Sequence, residues 1–264
     1  MTANETLLAS LLQRVTDLES ASSGGGSDTV LDRKFNNATL DTEDLLGSLI
    51  YFPTTVSSGA LISKSPIQPQ KAFWAKGTIN YGETGANGDA IRFSTTGYLK
   101  TTVGELLGTI SSESDFTILF PYRPVDSTPS SKSTILGIGS TGGANSLDLR
   151  TNGTLGWQRS GSYRISGSTV LTSDTRHQVG IRRKDGVFTM FLDGAAEGLT
   201  STTDGTRSWP STDFIGFGTQ AGGNNEFQDA YLEDVIIALY AWSDAQIAAH
   251  YDAGAFRALQ GVGL

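Results

Sequence analysis

The chain has 264 residues, a formal net charge of −8, no cysteine and only two histidines. An acidic surface repels phosphate backbones, so nucleic acid is not an expected partner; without cysteine there are no disulfides, thiol nucleophiles or cysteine-bound zinc, and His177 and His250 are too few for a multi-histidine zinc cage. Hydrophobic residues make up 38% of the chain, enough for a packed core, and 32 glycines point to many turns between short strands.

Residues 2–20 read as a helix in which Leu8, Leu11, Val15 and Leu18 form a heptad seam. A lone helix of this length is marginal in water, so partner helices are expected to support it. Leu7 and Leu12 widen the apolar face and favour more than two strands, whereas Val15 at an a position with Leu at d leans towards two. A homo-oligomer is therefore expected, trimer or dimer; the alternative is an amphipathic helix packed on its own domain. The first 20 residues lack a basic start followed by an apolar block, which argues against a secretory signal, and no run of about 18 apolar residues argues for membrane insertion. Residues 21–27, Ala-Ser-Ser-Gly-Gly-Gly-Ser, read as a flexible linker between this stem and a globular part at 28–264.

From residue 28 onward the pattern is β. Phe116, Ile118, Phe120 and Tyr122 alternate with Thr117, Leu119 and Pro121, and Leu147 and Leu149 alternate with Asp148 and Arg150. Thr134–Gly139 and Phe214–Gly218 are short, glycine-rich apolar runs, and turn signals stand at Asn152-Gly153, Asp185-Gly186 and Asp193-Gly194. The most specific local reading is a hairpin from His177 to Leu192. A two-residue type I′ turn at Asp185-Gly186 places Arg183 opposite Phe188, Ile181 opposite Met190 and Val179 opposite Leu192. Turn chemistry and alternation then agree on one register. Tyr231–Tyr240 reads as a central strand, with Val235, Ile237 and Leu239 on one face and Ile236 and Ala238 on the other. Ser243 and Gln246 form a capping box, Trp242 and Ile247 a hydrophobic staple, and Gly254 a stop signal for one short helix.

The stretch HQVGIRRKDGVFTMFLDG (177–194) resembles the hairpin of laminin-G-like and concanavalin-like domains, where a Val, an Arg, a turn Gly and a closing Asp-Gly recur in that order. FIGFG, followed by FQDAYLEDVIIALYAWSDAQIAAHY, resembles the closing pattern of that family, with Glu233-Asp234-Val235 at its Asp-Glu-Val position. GDAIRFSTTGYLKT (88–101) is similar to an earlier family strand. The resemblance covers roughly 85–252 and departs at Gln178, where Trp is usual, and at Gln228, where Gly is usual. It implies an all-β jelly-roll sandwich of two antiparallel sheets, a fold that hosts lectins, glycan-binding modules and glycosidases. A helical stem, a glycine linker and one such sandwich also resemble a bacteriophage virion appendage of the head-fibre, decoration or tail-fibre type. That resemblance implies a position on the virion surface, other virion proteins as partners and affinity for cell-surface glycans.

Glycosidases on this fold carry a Glu-x-Asp-x-(x)-Glu strand motif that sets two carboxylates on one face. The nearest candidates here, Glu226, Asp229, Glu233 and Asp234, have the wrong parity and read as solvated loop or strand-edge carboxylates. No Gly-x-Ser-x-Gly elbow and no phosphate-binding loop occur, so no catalytic residue is assigned. No cofactor is expected. Calcium would draw on Asn145, Asp148 and Asn152, or on Asn224, Asn225, Glu226 and Asp229, but neither run has EF-hand order and turn formation explains both. For a glycan, Trp157, Arg159, Tyr163 and Trp209 are the candidate residues, since sugar sites combine an aromatic platform with polar groups; core packing is the alternative for both tryptophans. Trp74 and Trp242 read as structural. The leading expectation is a non-enzymatic appendage; a free-standing carbohydrate-binding module is the alternative, and a glycoside hydrolase is disfavoured.

Overall fold

Strands of alternating residues, interleaved along the chain, build two stacked sheets, each with one face turned to a shared core. The computed structural model describes residues 49–52, 59–62, 71–85, 88–94, 97–107, 114–140, 145–159, 161–198, 209–219 and 229–252. The heptad residues Leu8, Leu11, Val15 and Leu18, the linker 21–27, Gly254 and the tail 255–264 lie outside them. The first strands are β1 (Leu49–Phe52), β2 (Leu61–Ile62), β3 (Ala72–Lys76), β4 (Ile79–Gly85), β5 (Gly88–Phe93) and β6 (Tyr98–Thr102), followed by the short helix α1 (Val103–Leu107). Next come β7 (Phe116–Pro124), β8 (Ser133–Gly139), β9 (Asn145–Leu149), β10 (Thr154–Arg159), β11 (Ser162–Val170) and β12 (His177–Lys184). The chain continues through β13 (Val187–Leu192), β14 (Ala195–Glu197), β15 (Phe214–Phe217), β16 (Ala230–Leu232), β17 (Val235–Ala238) and helix α2 (Asp244–Asp252).

One sheet has nine strands in the order β14-β13-β12-β7-β16-β5-β4, with β17 pairing β7 and β1 pairing β17. The other has eight in the order β11-β10-β9-β8-β15-β6-β3-β2. All the pairings are antiparallel, so the expected two-sheet sandwich is what the chain forms.

The core is aromatic where the sheets meet. Trp157 of the eight-stranded sheet stacks on Phe188 of the nine-stranded sheet with ring centroids 4.9 Å apart. Phe120 meets Phe217 edge-on at 5.1 Å, again from one sheet to the other. The hairpin has the register its turn requires: Val179 faces Leu192, Ile181 faces Met190 and Arg183 faces Phe188. Asp185 and Gly186 take φ values of 50° and 78°, the two left-handed positions of a type I′ turn. Arg183 is thereby carried to the core side, where it is buried and donates to the Ser114 carbonyl.

The expected continuous strand over 231–240 is instead broken. β16 and β17 pair with the same strand, but Leu232 faces Tyr122 while Ile236 faces Leu119. Four residue steps on one side answer three on the other, which is a β-bulge at Glu233-Asp234, with Asp234 at φ 30°. Beyond it both faces of β17 are covered as expected. Val235 and Ile237 join the inter-sheet core, while Ile236 and Ala238 pack with Leu119, Phe191, Trp242 and Ile247 in a second cluster under α2. The capping box forms as expected: the Ser243 amide donates to Gln246 Oε1 at 2.8 Å and the Gln246 amide to Ser243 Oγ at 3.2 Å.

Candidate functional site

Each sheet has an outer face, and the two are finished differently. On the nine-stranded sheet, α2 and Trp242 lie over β7, β13 and β17. Arg182 is held there by the Trp242 carbonyl at 2.8 Å, by Asp244 and by the ring of Phe191, 4.9 Å from its guanidinium carbon. On the eight-stranded sheet, alternation sends Phe73, Leu99, Ile215 and Phe217 to the core and Trp74, Lys76, Tyr98, Lys100, Phe214 and Gly216 outward.

These outward residues form a patch. Trp74 stands directly opposite Lys100, and Lys76 directly opposite Tyr98, so aromatic rings and ammonium groups alternate at its four corners. Trp74 is 56% exposed, against 0% for Trp157 and Trp209. Lys100 lies next to Gly216 on β15, and with no side chain there the lysine crosses to Phe214, its Nζ 3.5 Å from the ring centroid. A Cβ on Gly216 would lie 2.5 Å from the Leu99 carbonyl oxygen, so the position excludes larger residues. Partial burial, and then the charge of Lys76, pull the Lys100 ammonium below the ordinary lysine range. Among the described residues neither lysine has a carboxylate partner.

The residues proposed from sequence for sugar contact lie elsewhere. Trp157 and Trp209 are fully buried around Phe188, at centroid distances of 4.9 and 6.2 Å, so they are core residues and offer no ring face to a ligand. Tyr163 is on the outer face of the eight-stranded sheet, but its ring lies against Gly156, and the Arg150 guanidinium carbon is 4.8 Å from its centroid. Arg159 is partly exposed at the end of β10, opposite Asn145 and Ser162. Trp74, read from sequence as structural, is instead the exposed tryptophan. Its signal was the shared parity with Lys76 two residues on, which marks an outward face.

Of the carboxylates considered for catalysis, Glu233 and Asp234 are buried where solvated positions were expected, and Asp229 is half-buried. Asp229 receives both Arg92 nitrogens, at 2.7 and 2.6 Å. Glu233 is buried and ion-paired with Arg176 at 2.9 Å, and Asp234 is buried beside it. His177 Nδ1 lies 2.9 Å from Asp193 Oδ2, while its Nε2 faces the Thr172 amide at 3.4 Å, where a catalytic triad would need a hydroxyl. This pair fastens the start of β12 to the β13–β14 turn. Asn152 Oδ1 accepts from the Thr154 amide and hydroxyl at 3.3 and 2.9 Å, the turn role foreseen for it. No cluster of three His, Asp or Glu that could hold a metal exists among the described residues. Asn224, Asn225 and Glu226 lie outside them. A narrow cleft lined by Phe93, Tyr122, Thr134 and Leu232 has an internal volume of about 10 Å³, room for about one water and far below the range of small-molecule pockets.

Residues 93–248 match the family described as the concanavalin A-like lectin/glucanases superfamily, Laminin_G_3. No curated protein matches the chain. Among solved structures, the chain is similar to Trypanosoma rangeli sialidase in complex with 2,3-difluorosialic acid, with a TM-score of 0.59, 14% identity, and coverage of 91% of this chain and 38% of that one. It is similar to the binding domain of Paraclostridial Mosquitocidal Protein 1, with a TM-score of 0.59, 16% identity, and coverage of 79% and 53%. The botulinum neurotoxin serotype G binding domain gives a TM-score of 0.56, 11% identity, and coverage of 76% and 50%. The chain therefore spans between about a third and a half of these proteins, and at such identities the likeness is one of fold.

Proposed function

We propose, from the premise that this chain belongs to the concanavalin A-like lectin/glucanases superfamily, that it is a non-enzymatic carbohydrate-binding protein whose sugar site is the outer face of β3, β6 and β15. The observation that carries the reading is Trp74, 56% exposed on a sheet face flanked by Lys76, Tyr98 and Lys100. A flat ring with polar neighbours is what a pyranose needs: its C–H face packs on the indole and its hydroxyls find donors at the rim. Support for a role without catalysis comes from the engagement of Asp229, Glu233 and Asp244 by arginines, since a carboxylate held by a cation is a poor general acid. The test is a glycan array probed with the full chain, together with an assay for released reducing ends on every glycan that binds. Binding without turnover is the expected outcome; turnover, or no binding to any glycan, would overturn the reading.

The setting we propose is a virion surface appendage that self-associates through its stem. Its support is the seam Leu8, Leu11, Val15 and Leu18 followed by the glycine linker. Light scattering on the full chain should give a trimer or dimer, and Leu11→Glu should reduce it to a monomer; a monomeric wild-type chain would rule out stem-driven assembly.

A further inference from the structure

We infer that the Trp74 face selects acidic saccharides, taking a carboxylate- or sulfate-bearing sugar with the ring on Trp74 and the anion between Lys76 and Lys100. This rests on the reading above that the face is a sugar site, and it names the class of sugar.

The first ground is charge. The protein as a whole carries −8, yet this patch presents two ammonium groups and no described carboxylate partner for either. Elsewhere Arg92, Arg176 and Arg182 are each matched to a carboxylate. A cation pair left unmatched on an acidic protein is a local inversion of the field, and an anion approaching it gains from both charges. The second ground is geometry. Lys76 and Lys100 occupy diagonal positions on adjacent strands, a separation of about 7–8 Å between backbones. One anionic group can lie between two such long side chains. Trp74 and Tyr98 take the other diagonal, so a ring stacked on the indole has Lys76 on the same strand and Lys100 on the neighbouring one, the Lys100 ammonium turned towards Phe214 on the side away from β3. The third ground is the position of Lys100. Its Nζ sits over the face of Phe214 rather than in bulk water, which restrains the cation before ligand arrives. Its partial burial and the repulsion from Lys76 leave it short of counter-charge, which an acidic ligand would supply.

The test uses the full chain on glycans paired by charge: oligogalacturonate against its methyl ester, sialyllactose against lactose, and a sulfated galactan against its desulfated form. At least one acidic member is expected to bind about tenfold or more tightly than its neutral partner, the difference a charge-assisted contact supplies. The preference should shrink in Lys76→Gln and Lys100→Gln and weaken with added salt, while Trp74→Ala weakens both members of the pair. Equal binding of acidic and neutral partners, still dependent on Trp74, would overturn the charge inference and leave the sugar site standing. An acidic preference unchanged in both lysine variants would place the anion contact elsewhere and overturn it too. Failure of every glycan to bind a protein with the native circular dichroism spectrum would remove the sugar site itself.

Discussion

The two outer faces of this sandwich are built from the same alternation and end in opposite states. On the nine-stranded sheet the outward residues near α2 include Leu119, Phe191, Ile236 and Ala238, and the chain covers them itself with Trp242 and Ile247. On the eight-stranded sheet the outward residues near β3 are Trp74, Lys76, Tyr98 and Lys100, with Trp74 left 56% exposed. A ring left more than half exposed contributes little burial to the isolated fold. The difference separates residues that the fold covers from residues that it leaves exposed.

Matched substitutions on the two faces sharpen that contrast. Trp242→Ala empties a buried site under α2, and a loss of about 3–5 kcal/mol in urea unfolding is expected, as for other large aromatic deletions in cores. Glu233→Gln leaves the Arg176 guanidinium facing a neutral amide at the bulge, and a loss of about 3 kcal/mol is expected from the same measurement, in the range for breaking a buried pair. Ser243→Ala removes the cap that receives the Gln246 amide and should cost about 1 kcal/mol. Trp74→Ala, although it deletes the same ring as Trp242→Ala, should change unfolding by no more than about 0.5 kcal/mol, the usual range at exposed positions. A large loss there would show that Trp74 serves the fold and would dissolve the contrast.

A smaller effect tests how the two sheets are tied at their edge. Glu197 on β14 accepts the Ser168 and Thr169 amides of β11 at 2.6 and 2.7 Å. Burial opposes its ionisation more than any single bond favours it, but the bonds from Thr169 and Ser168 together hold the carboxyl below its ordinary value of 4.5. Its folded value being the lower one, the stabilisation is present above about pH 4.5 and is lost as pH falls through the depressed folded value. Glu197→Gln should therefore melt below wild type at pH 7, with the gap closing in acid; a pH-independent gap would assign the effect to packing instead.

Much of this was written locally. Asp185-Gly186 and the alternation around it specify one hairpin register because a one-residue slip would turn every apolar residue outward. The Ser243–Gln246 cap is legible for the same reason, being complete within four residues. Trp157 shares parity with Leu155, which is core-facing, and Trp74 shares it with Lys76, so the exchange of their roles was readable from neighbours rather than from residue type. Trp209 follows no period. Its burial comes from Phe116 and Phe188, contacts set by how the sheets stack. The bulge at Glu233-Asp234 carries no glycine signal, and the Arg176 partner that neutralises Glu233 is distant in sequence. The candidate site was missed for a related cause: β3, β6 and β15 are far apart in the chain and meet only through sheet order.

The measurement closest to the central claim is titration calorimetry of the tightest array glycan into wild type and Trp74→Ala, both checked for equal unfolding midpoints. If the face of β3 and β6 is the sugar site, the variant binds about tenfold or more weakly, the loss expected when a stacking ring at a binding hot spot is removed. Equal affinity in the two proteins would contradict it and move the site off this face.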